Sequence, residues 1–174
     1  PRVKEGSSAP SLELVVTAVP ATLRRKLKLK PFYKKSLRLR AFPILASDKV
    51  SDYALLEAGY LIHQMLAERE DILNAMARNR IRFAIMACDE FTTEVPEHSE
   101  LEPAKFWDKR ARGLGATHGK PAVSCGEENL LKLPGDPYHE ENILIHEFAH
   151  AIHDTGLDLI DSSFDGRLKA AWKT

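Results

Sequence analysis

The segment 141–158, "ENILIHEFAHAIHDTGLD", contains two histidines, His146 and His150, that enclose Glu147. On an α-helix these two histidines lie about 40° apart round the axis and one turn apart along it. Both imidazoles can then bind one divalent ion at about 2.0–2.1 Å, the usual length of a Zn–N bond. Glu147 lies about 100° round the helix, so its carboxylate is beside the ion and stays free to accept a proton.

The residues around this motif predict an amphipathic helix. Asp136 is the expected N-cap, Pro137 suits the first turn, and Gly156 is the expected terminator. The face opposite the histidines is expected to pack into the core and carries four apolar residues: Ile145, Phe148, Ala149 and Ile152. The alternative is an amphipathic helix whose histidines face solvent and bind no metal.

His-Glu-x-x-His on a helix is the signature of zinc-dependent peptide hydrolysis. Zinc lowers the pKa of its bound water towards about 7, and a nearby carboxylate takes the proton as the water attacks a carbonyl carbon. The sequence therefore predicts one Zn²⁺ bound by His146 and His150, with Glu147 as the general base and a peptide or protein as the substrate.

The third protein ligand that catalytic zinc normally has is not identified by residue spacing. Four aspartates follow the second histidine, none at a recognised spacing: Asp154, Asp158, Asp161 and Asp165. His153 points in nearly the same direction as His146 but lies about 7–8 Å along the axis from the middle of the histidine pair. We therefore expect His153 to line the cleft or to contact a ligand, rather than to bind the ion.

The composition is that of one globular domain. The chain has 174 residues, 44% hydrophobic and 29% charged, with a formal net charge of zero. No apolar run approaches the roughly 18 residues that would predict a membrane-spanning helix. Cys88 and Cys125 lack CxxC spacing, which argues against a thiolate zinc site and leaves two reduced thiols or one disulfide open. The oligomeric state and the compartment also stay open, with a secreted or periplasmic location favoured over the cytoplasm.

The stretch 21–40 holds nine Lys or Arg and no acid. Its alternation of leucine with a basic residue, at 27–30 and again at 37–40, predicts two half-exposed strands. The preferred interpretation is a solvated basic sheet edge that blocks aggregation. The alternative is a basic binding module for phosphate backbones or an anionic lipid surface. Only Phe32 and Tyr33 could stack on bases, so nucleic acid is not an expected partner.

Hydrophobic periodicity supplies the remaining elements. It predicts a loosely ordered lead-in over 1–20 with one short strand at 12–16, helices over 50–68 and 71–78, and strands over 81–88 and 121–134. Residues 89–120 are rich in proline and glycine and predict a long irregular segment. The fold class is α+β, with a small mixed β-sheet packed on the 50–68 helix and on the helix that carries the motif.

Beyond the motif itself, "HEFAHAIHDTG", preceded by "GEENLLKLPGDPYHEENILI", resembles the catalytic domain of zincin metallopeptidases of the anthrax-lethal-factor-like type. It is most similar to an uncharacterised bacterial metallopeptidase family within that type. Further matches are "PFYKK", "ILASDKVSDYALLEA", "TTEVPEH" and "WDKRARGLGAT", so that the resemblance covers most of residues 31–170.

The resemblance implies a single zincin-like catalytic domain over 1–174, with His146 and His150 as zinc ligands and Glu147 as the base. It also implies that "PAVSCGEENLL" is the open sheet edge along which an extended peptide is bound by strand addition. The expected substrate contacts on that edge are Ser124, Gly126, Glu127, Glu128 and Asn129. Arg110 and Arg112 are further candidates for the cleft wall, with ordinary solvation as the alternative.

Zincins of this type take the third ligand from a glutamate on a later helix, in an Asn-x-x-Glu-aromatic-Ala-Glu segment. The sequence reaches Thr174 without such a segment. Two expectations follow from this difference. Either the sequence stops before that helix, or the domain is zincin-like without catalysis and serves as a structural or interaction domain.

Overall fold

The computed structural model describes residues 13–66 and 69–173, which form a six-stranded mixed β-sheet with helices on both faces. The strands, in chain order, are β1 (Val16–Ala18), β2 (Lys35–Leu39), β3 (Phe42–Ala46), β4 (Arg82–Met86), β5 (Gly113–Leu114) and β6 (Ala122–Gly126). Their order in the sheet is β1-β2-β3-β4-β6-β5. The pairs β3–β4 and β4–β6 are parallel, whereas β1–β2, β2–β3 and β5–β6 are antiparallel.

The helices are α1 (Ala21–Leu27), α2 (Asp52–Leu66), α3 (Glu70–Arg78), α4 (Ala104–Arg110), α5 (Glu127–Leu131), α6 (Ile143–Ile152), α7 (Asp158–Ile160) and α8 (Phe164–Trp172). A π-helical turn over His153–Leu157 joins α6 to α7. In the part of the chain that the structure describes, no helix has both the length and the apolar character needed to cross a membrane. The α+β class predicted from the sequence is confirmed.

The sheet separates two hydrophobic cores, because side chains alternate between its faces along each strand. Ile44 and Phe83 face the larger core, which α2, α3 and α6 cover. Their neighbours Leu45 and Ala84 face the smaller core, to which the end of α1 contributes Leu27. The helix that carries the His-Glu-x-x-His motif therefore packs on the same face of the sheet as α2.

The prediction of two basic strands over 21–40 is wrong in its first half. Residues 21–27 form α1, and Lys28 ends that helix in the left-handed conformation, with its N–H bonded to the carbonyls of Arg24 and Arg25. Leu27 and Leu29 are both buried because the chain reverses at Lys28, and this reversal produces the same alternation as a strand. The second half is β2 as predicted, but β1 and β3 flank it, so it is not a sheet edge.

The remaining predicted elements are confirmed where periodicity is strong. α2, α3 and β4 lie where the sequence placed them, whereas β1 shares only Val16 with the predicted strand. Residues 1–12 of the predicted lead-in and 67–68 of the predicted helix lie outside the described residues. The segment 89–120 is not irregular throughout, because it contains α4. The predicted strand over 121–134 is β6 only as far as Gly126, where α5 begins with Glu127 and Glu128 in its first turn. Cys88 is an exposed free thiol and Cys125 a buried one, and burial raises the pKa of the Cys125 thiol.

A buried ion pair fixes the segment that leads into β5. The Arg112 guanidinium donates to both carboxylate oxygens of Glu128, at 2.5 and 2.9 Å, and also to the carbonyl of Ala87 at 2.9 Å. The Arg112 carbonyl in turn accepts a 2.8 Å hydrogen bond from the Gly126 N–H. Arg112 therefore joins the end of β4, the start of β5 and the first turn of α5.

Replacing Arg112 by methionine is expected to lower the free energy of unfolding by about 3–5 kcal/mol, because the Glu128 carboxylate would stay buried without its partner. The measurement is urea denaturation followed by circular dichroism. Arg69→Met is the matched control, since Arg69 pairs with Asp71 in solvent and the change there should be small. Equal effects of the two substitutions would contradict the role assigned to Arg112.

Candidate metal centre

The helix that carries the motif begins later than the sequence predicted. Its N-cap is Asn142, whose Oδ1 accepts a 3.0 Å hydrogen bond from the Ile145 N–H. The expected cap, Asp136, accepts instead from the Tyr138 N–H at 2.9 Å, in the loop before the helix. Gly156 does not end the helix either, because the chain continues through the π-helical turn into α7.

The buried face of α6 is formed by Leu144, Phe148 and Ala151. The Phe148 ring packs edge-on against Phe42 and Phe83, with ring centroids 5.6 and 6.3 Å apart. Of the four residues predicted to anchor the helix, only Phe148 is fully buried, and Ile152 is half-buried. Ile145 and Ala149 are exposed, so the prediction for these two residues is wrong.

The structure places the two histidines of the motif side by side on the exposed face of α6. Their ring centroids are 5.1 Å apart and the ring planes are tilted by 60°. Glu147, between them in sequence, is half-buried and faces the segment that follows β5. A Cβ atom at Gly115 would lie 3.1 Å from Glu147 Oε2 and 3.8 Å from the His150 Cβ. The carboxylate therefore lies against the backbone at Gly115, where a side chain would crowd it.

The residues in place fit part of a zinc site. Two neighbouring imidazoles can fill two of the four coordination positions of a tetrahedral zinc ion. Glu147 lies next to them and lines the cleft. Within residues 13–66 and 69–173, however, no three His, Cys, Asp or Glu side chains are grouped to hold a metal ion. Three of the four following aspartates have other partners: Asp161 pairs with Arg167, and Asp154 and Asp165 both pair with His153.

A cleft of about 310 Å³ runs from the motif along β5. His146 and Glu147 line one end, and Trp107 and Tyr138 provide aromatic surface. Arg110 and Arg112 both line this cleft, although the guanidinium of Arg112 is bound to Glu128. The open space beside His146 is therefore continuous with the outermost strand of the sheet.

The prediction that "PAVSCGEENLL" forms the sheet edge is wrong, because β5 pairs with β6 and takes the edge position. Leu114 pairs with Ser124, whose Oγ accepts a 3.2 Å hydrogen bond from the Leu114 N–H. The Ser124 hydroxyl also bonds the buried His98 Nε2 at 2.9 Å, and burial lowers the pKa of His98 to about 4. Gly126 bonds Arg112, as described above. The two-residue strand β5 is too short to give a periodic signal in the sequence.

Two of the other three predicted edge residues are also buried in structural contacts. Glu127 accepts hydrogen bonds from the backbone N–H groups of Ser51 and Cys88, at 2.8 and 3.3 Å. Glu128 binds Arg112. Both side chains lie on α5, where they hold the first turn of that helix against its neighbours, so neither faces the cleft edge as a substrate contact.

Asn129, the last predicted edge residue, organises the approach to α6. Its Nδ2 lies 2.9 Å from Asp136 Oδ2, 3.1 Å from the Tyr138 carbonyl and 2.9 Å from the Glu141 carbonyl. Its Oδ1 accepts a 2.8 Å hydrogen bond from the Ile143 N–H, the first N–H of the helix. One buried amide thus fixes the loop 136–142 and the starting point of the helix.

His153 does not face the histidine pair. Its Nε2 is bonded to Asp165 Oδ1 at 2.5 Å, and its ring packs against Phe164 at a centroid distance of 5.5 Å. The expectation that it lines the cleft is therefore wrong, because the π-helical turn directs it towards α8. Its role in the structure is to attach α8 to the end of α6.

Comparison with protein-family models, with curated proteins and with solved structures gives no match to this chain. The resemblance to the zincins therefore stays an expectation from the sequence motifs.

Attachment of α8 through His153 and Asp165 is expected to depend on pH. Their hydrogen bond raises the pKa of the His153 imidazole and lowers the pKa of the Asp165 carboxyl. The contact should be strongest between about pH 4, the ordinary range of aspartate, and about pH 6.5, that of histidine. It should weaken above this window as His153 loses its proton, and below it as Asp165 gains one.

The measurement is the rate of limited proteolysis within 161–173 across this pH range. Asp165→Asn should accelerate cleavage inside the window and flatten the pH profile. Asp48→Asn, which changes an exposed carboxylate far along the chain from this contact, should leave the profile in place. An unchanged profile in Asp165→Asn would contradict the attachment.

Proposed function

We propose that this chain is a zinc-dependent metallopeptidase domain with a zincin-like fold, in which His146 and His150 bind the ion and Glu147 is the general base. The observation that carries the proposal is the position of Glu147. Its carboxylate lies between two neighbouring imidazoles in sequence and against the backbone beside the outermost strand in space. A substrate carbonyl bound along that strand would lie next to both the metal ligands and the base.

The polar side chains of the His-Glu-x-x-His motif form fewer hydrogen bonds and ion pairs than the polar side chains around them. In the part of the chain that the structure describes, the side chains of His150 and Glu147 form no hydrogen bond or ion pair. Arg112, Glu128 and Asn129, in the adjoining wall of the cleft, are all committed to buried contacts. An uncommitted carboxylate that lines a cleft, with an uncommitted imidazole on the same helix, supports a role in binding and proton transfer.

The outermost strand is suited to hold an extended peptide. The Arg112 carbonyl and the Leu114 N–H both bond towards β6, so the backbone groups of the intervening Gly113 point away from the sheet, as alternate residues do in an antiparallel ladder. A Cβ at Gly113 would be 2.3 Å from Ile143 Cγ2, and glycine therefore allows β5 to lie directly on α6. Strand addition at Gly113 would bring a peptide bond close to Glu147.

Zinc, when bound, would activate a water molecule and polarise the scissile carbonyl. The protein residues would hold the ion and transfer the protons. The two imidazoles fix the ion beside β5, and the Glu147 carboxylate takes a proton from the attacking water and delivers it to the leaving nitrogen. The aromatic surface of Trp107 and Tyr138 supplies an apolar wall for a substrate side chain. Among residues 13–66 and 69–173, no third side chain is grouped with the two imidazoles as a ligand.

Metal analysis of the purified full chain tests the proposed ligands. The wild type, loaded with zinc and dialysed, should retain about one ion per chain, and the double variant His146→Ala, His150→Ala should retain none, since both ligands would be lost. The double variant His118→Ala, His139→Ala is the control, because it removes two exposed histidines elsewhere. A wild type without zinc, or equal zinc in the ligand variant, would contradict the proposal.

Glu147→Gln tests the proposed base separately. The amide keeps the size of the side chain but cannot take a proton, so peptide hydrolysis should fall by about 10²–10⁴-fold while zinc content stays at the wild-type level. The assay is cleavage of a denatured protein mixture followed by mass spectrometry of the products. Undiminished hydrolysis would refute Glu147 as the base, and zinc binding without any hydrolysis in the wild type would instead indicate a zincin-like domain without catalysis.

A further inference from the structure

We infer that Glu141 is a positioning residue for the metal site: its carboxylate faces His146 Nδ1 and thereby leaves Nε2 of that ring as the nitrogen that binds zinc. Glu141 Oε2 lies 3.6 Å from His146 Nδ1. The inference rests on the proposed zinc site and adds to it the orientation of the first ligand.

The contact follows from where α6 begins. With Asn142 as the N-cap, Glu141 is the residue before the cap and His146 is the fourth residue of the helix. Side chains at these two positions meet across the first turn, and apolar pairs there are known to fix how a chain enters a helix. Here the two side chains are the Glu141 carboxylate and the His146 imidazole, so the contact across the first turn joins Glu141 to a proposed zinc ligand.

Backbone hydrogen bonds on both sides of Glu141 fix the position from which its side chain reaches His146. Its carbonyl accepts a 2.9 Å hydrogen bond from the buried Asn129 amide, and its N–H donates to the Tyr138 carbonyl at 3.0 Å. His146 is fixed from its own side, because its N–H bonds the Asn142 carbonyl at 3.1 Å. The side chains of Glu141 and His146 are each about half exposed, which leaves the carboxylate free to close the remaining distance to the ring.

The chemistry of a zinc-bound imidazole gives this contact a purpose. A ring that binds metal through one nitrogen carries a hydrogen on the other, and a carboxylate accepting that hydrogen fixes the tautomer and makes the ring a stronger ligand. Glu141 is the carboxylate on the Nδ1 side of His146, and it also lines the same cleft as Glu147. Glu141 thus sets which edge of the His146 ring is presented to the ion.

Competition with a chelator of known zinc affinity tests the inference on the full chain. Glu141→Ala should weaken zinc binding by about 10–100-fold, the usual effect of losing such a partner. Glu141→Gln, which retains an accepting oxygen without the charge, should fall between Glu141→Ala and the wild type. Glu140→Ala is the matched control, because the neighbouring Glu140 is also exposed and its side chain forms no hydrogen bond or ion pair with His146 in the described structure. Equal affinities for Glu141→Ala and Glu140→Ala would overturn the inference.

Nitrogen-15 NMR of the His146 ring supplies a readout that a merely structural role would not move. The wild type should show Nδ1 protonated and Nε2 free of hydrogen, and Glu141→Ala should shift the ring towards the opposite tautomer while the His150 signals stay in place. The same tautomer in both proteins would overturn the inference. Because this spectrum can be recorded without metal, it decides the contact even if the wild type binds no zinc, an outcome that would refute the proposed function by itself.

Discussion

The hydrogen bonds of the Asn129 amide determine where the helix of the candidate site begins, and most of the site geometry depends on that starting point. Asn129 is buried, and a buried amide must satisfy both its donor and its acceptor groups within the protein. It does so by accepting from the Ile143 N–H and by donating to acceptors in the loop 136–142. Because Ile143 becomes the first helical residue, His146 lies in the first turn of α6 and Glu141 lies just outside it. The loop kept out of the helix brings Tyr138 to the cleft wall.

A second constraint acts from the other side of the cleft, where the sheet meets the helix. Gly113 has no space for a Cβ between Ile143 and the Ser124 carbonyl, and Gly115 has little space beside Glu147. Arg112 holds the same segment through its buried pair with Glu128. Asn129 and Glu128 are neighbours on α5, so one short helix fixes both the start of α6 and the position of β5. The distance between the proposed base and the outermost strand is therefore set by buried contacts and not by the exposed residues themselves.

The sequence predicts this protein well where structure depends on neighbours along the chain. The spacing of His146 and His150 needs only a helix to bring the rings together, and strong periodicity was sufficient for α2 and β4. Prediction fails where two structures share one local pattern. Asp136 before Pro137 has the sequence pattern of a helix N-cap, but an aspartate side chain can also accept a hydrogen bond within a loop turn, as Asp136 does. The N-cap is Asn142 instead, and the hydrogen bonds of Asn129, thirteen residues earlier, favour that starting point. The alternation of leucine with lysine over 27–30 is compatible with a strand. It is equally compatible with the end of a helix followed by a residue in the left-handed conformation, which is what the structure has at Lys28.

The difference between the polar residues committed to the structure and those of the candidate site could not be seen in the sequence for a related reason. "GEENLL" and "HEFAH" both place acidic and polar side chains on short helical segments beside apolar residues. What separates them is whether each polar group has a partner. Glu127, Glu128 and Asn129 are buried and bonded, and each stabilises a backbone turn or an ion pair. His146, Glu147 and His150 lie on a helix equally well anchored by Phe148, yet Glu147 and His150 have no hydrogen-bond or ion-pair partner among the described residues, and His146 and Glu147 line a cleft. A helix anchored in the core fixes the position of these side chains and leaves polar atoms without protein partners. Metal binding and proton transfer both require such fixed and available groups.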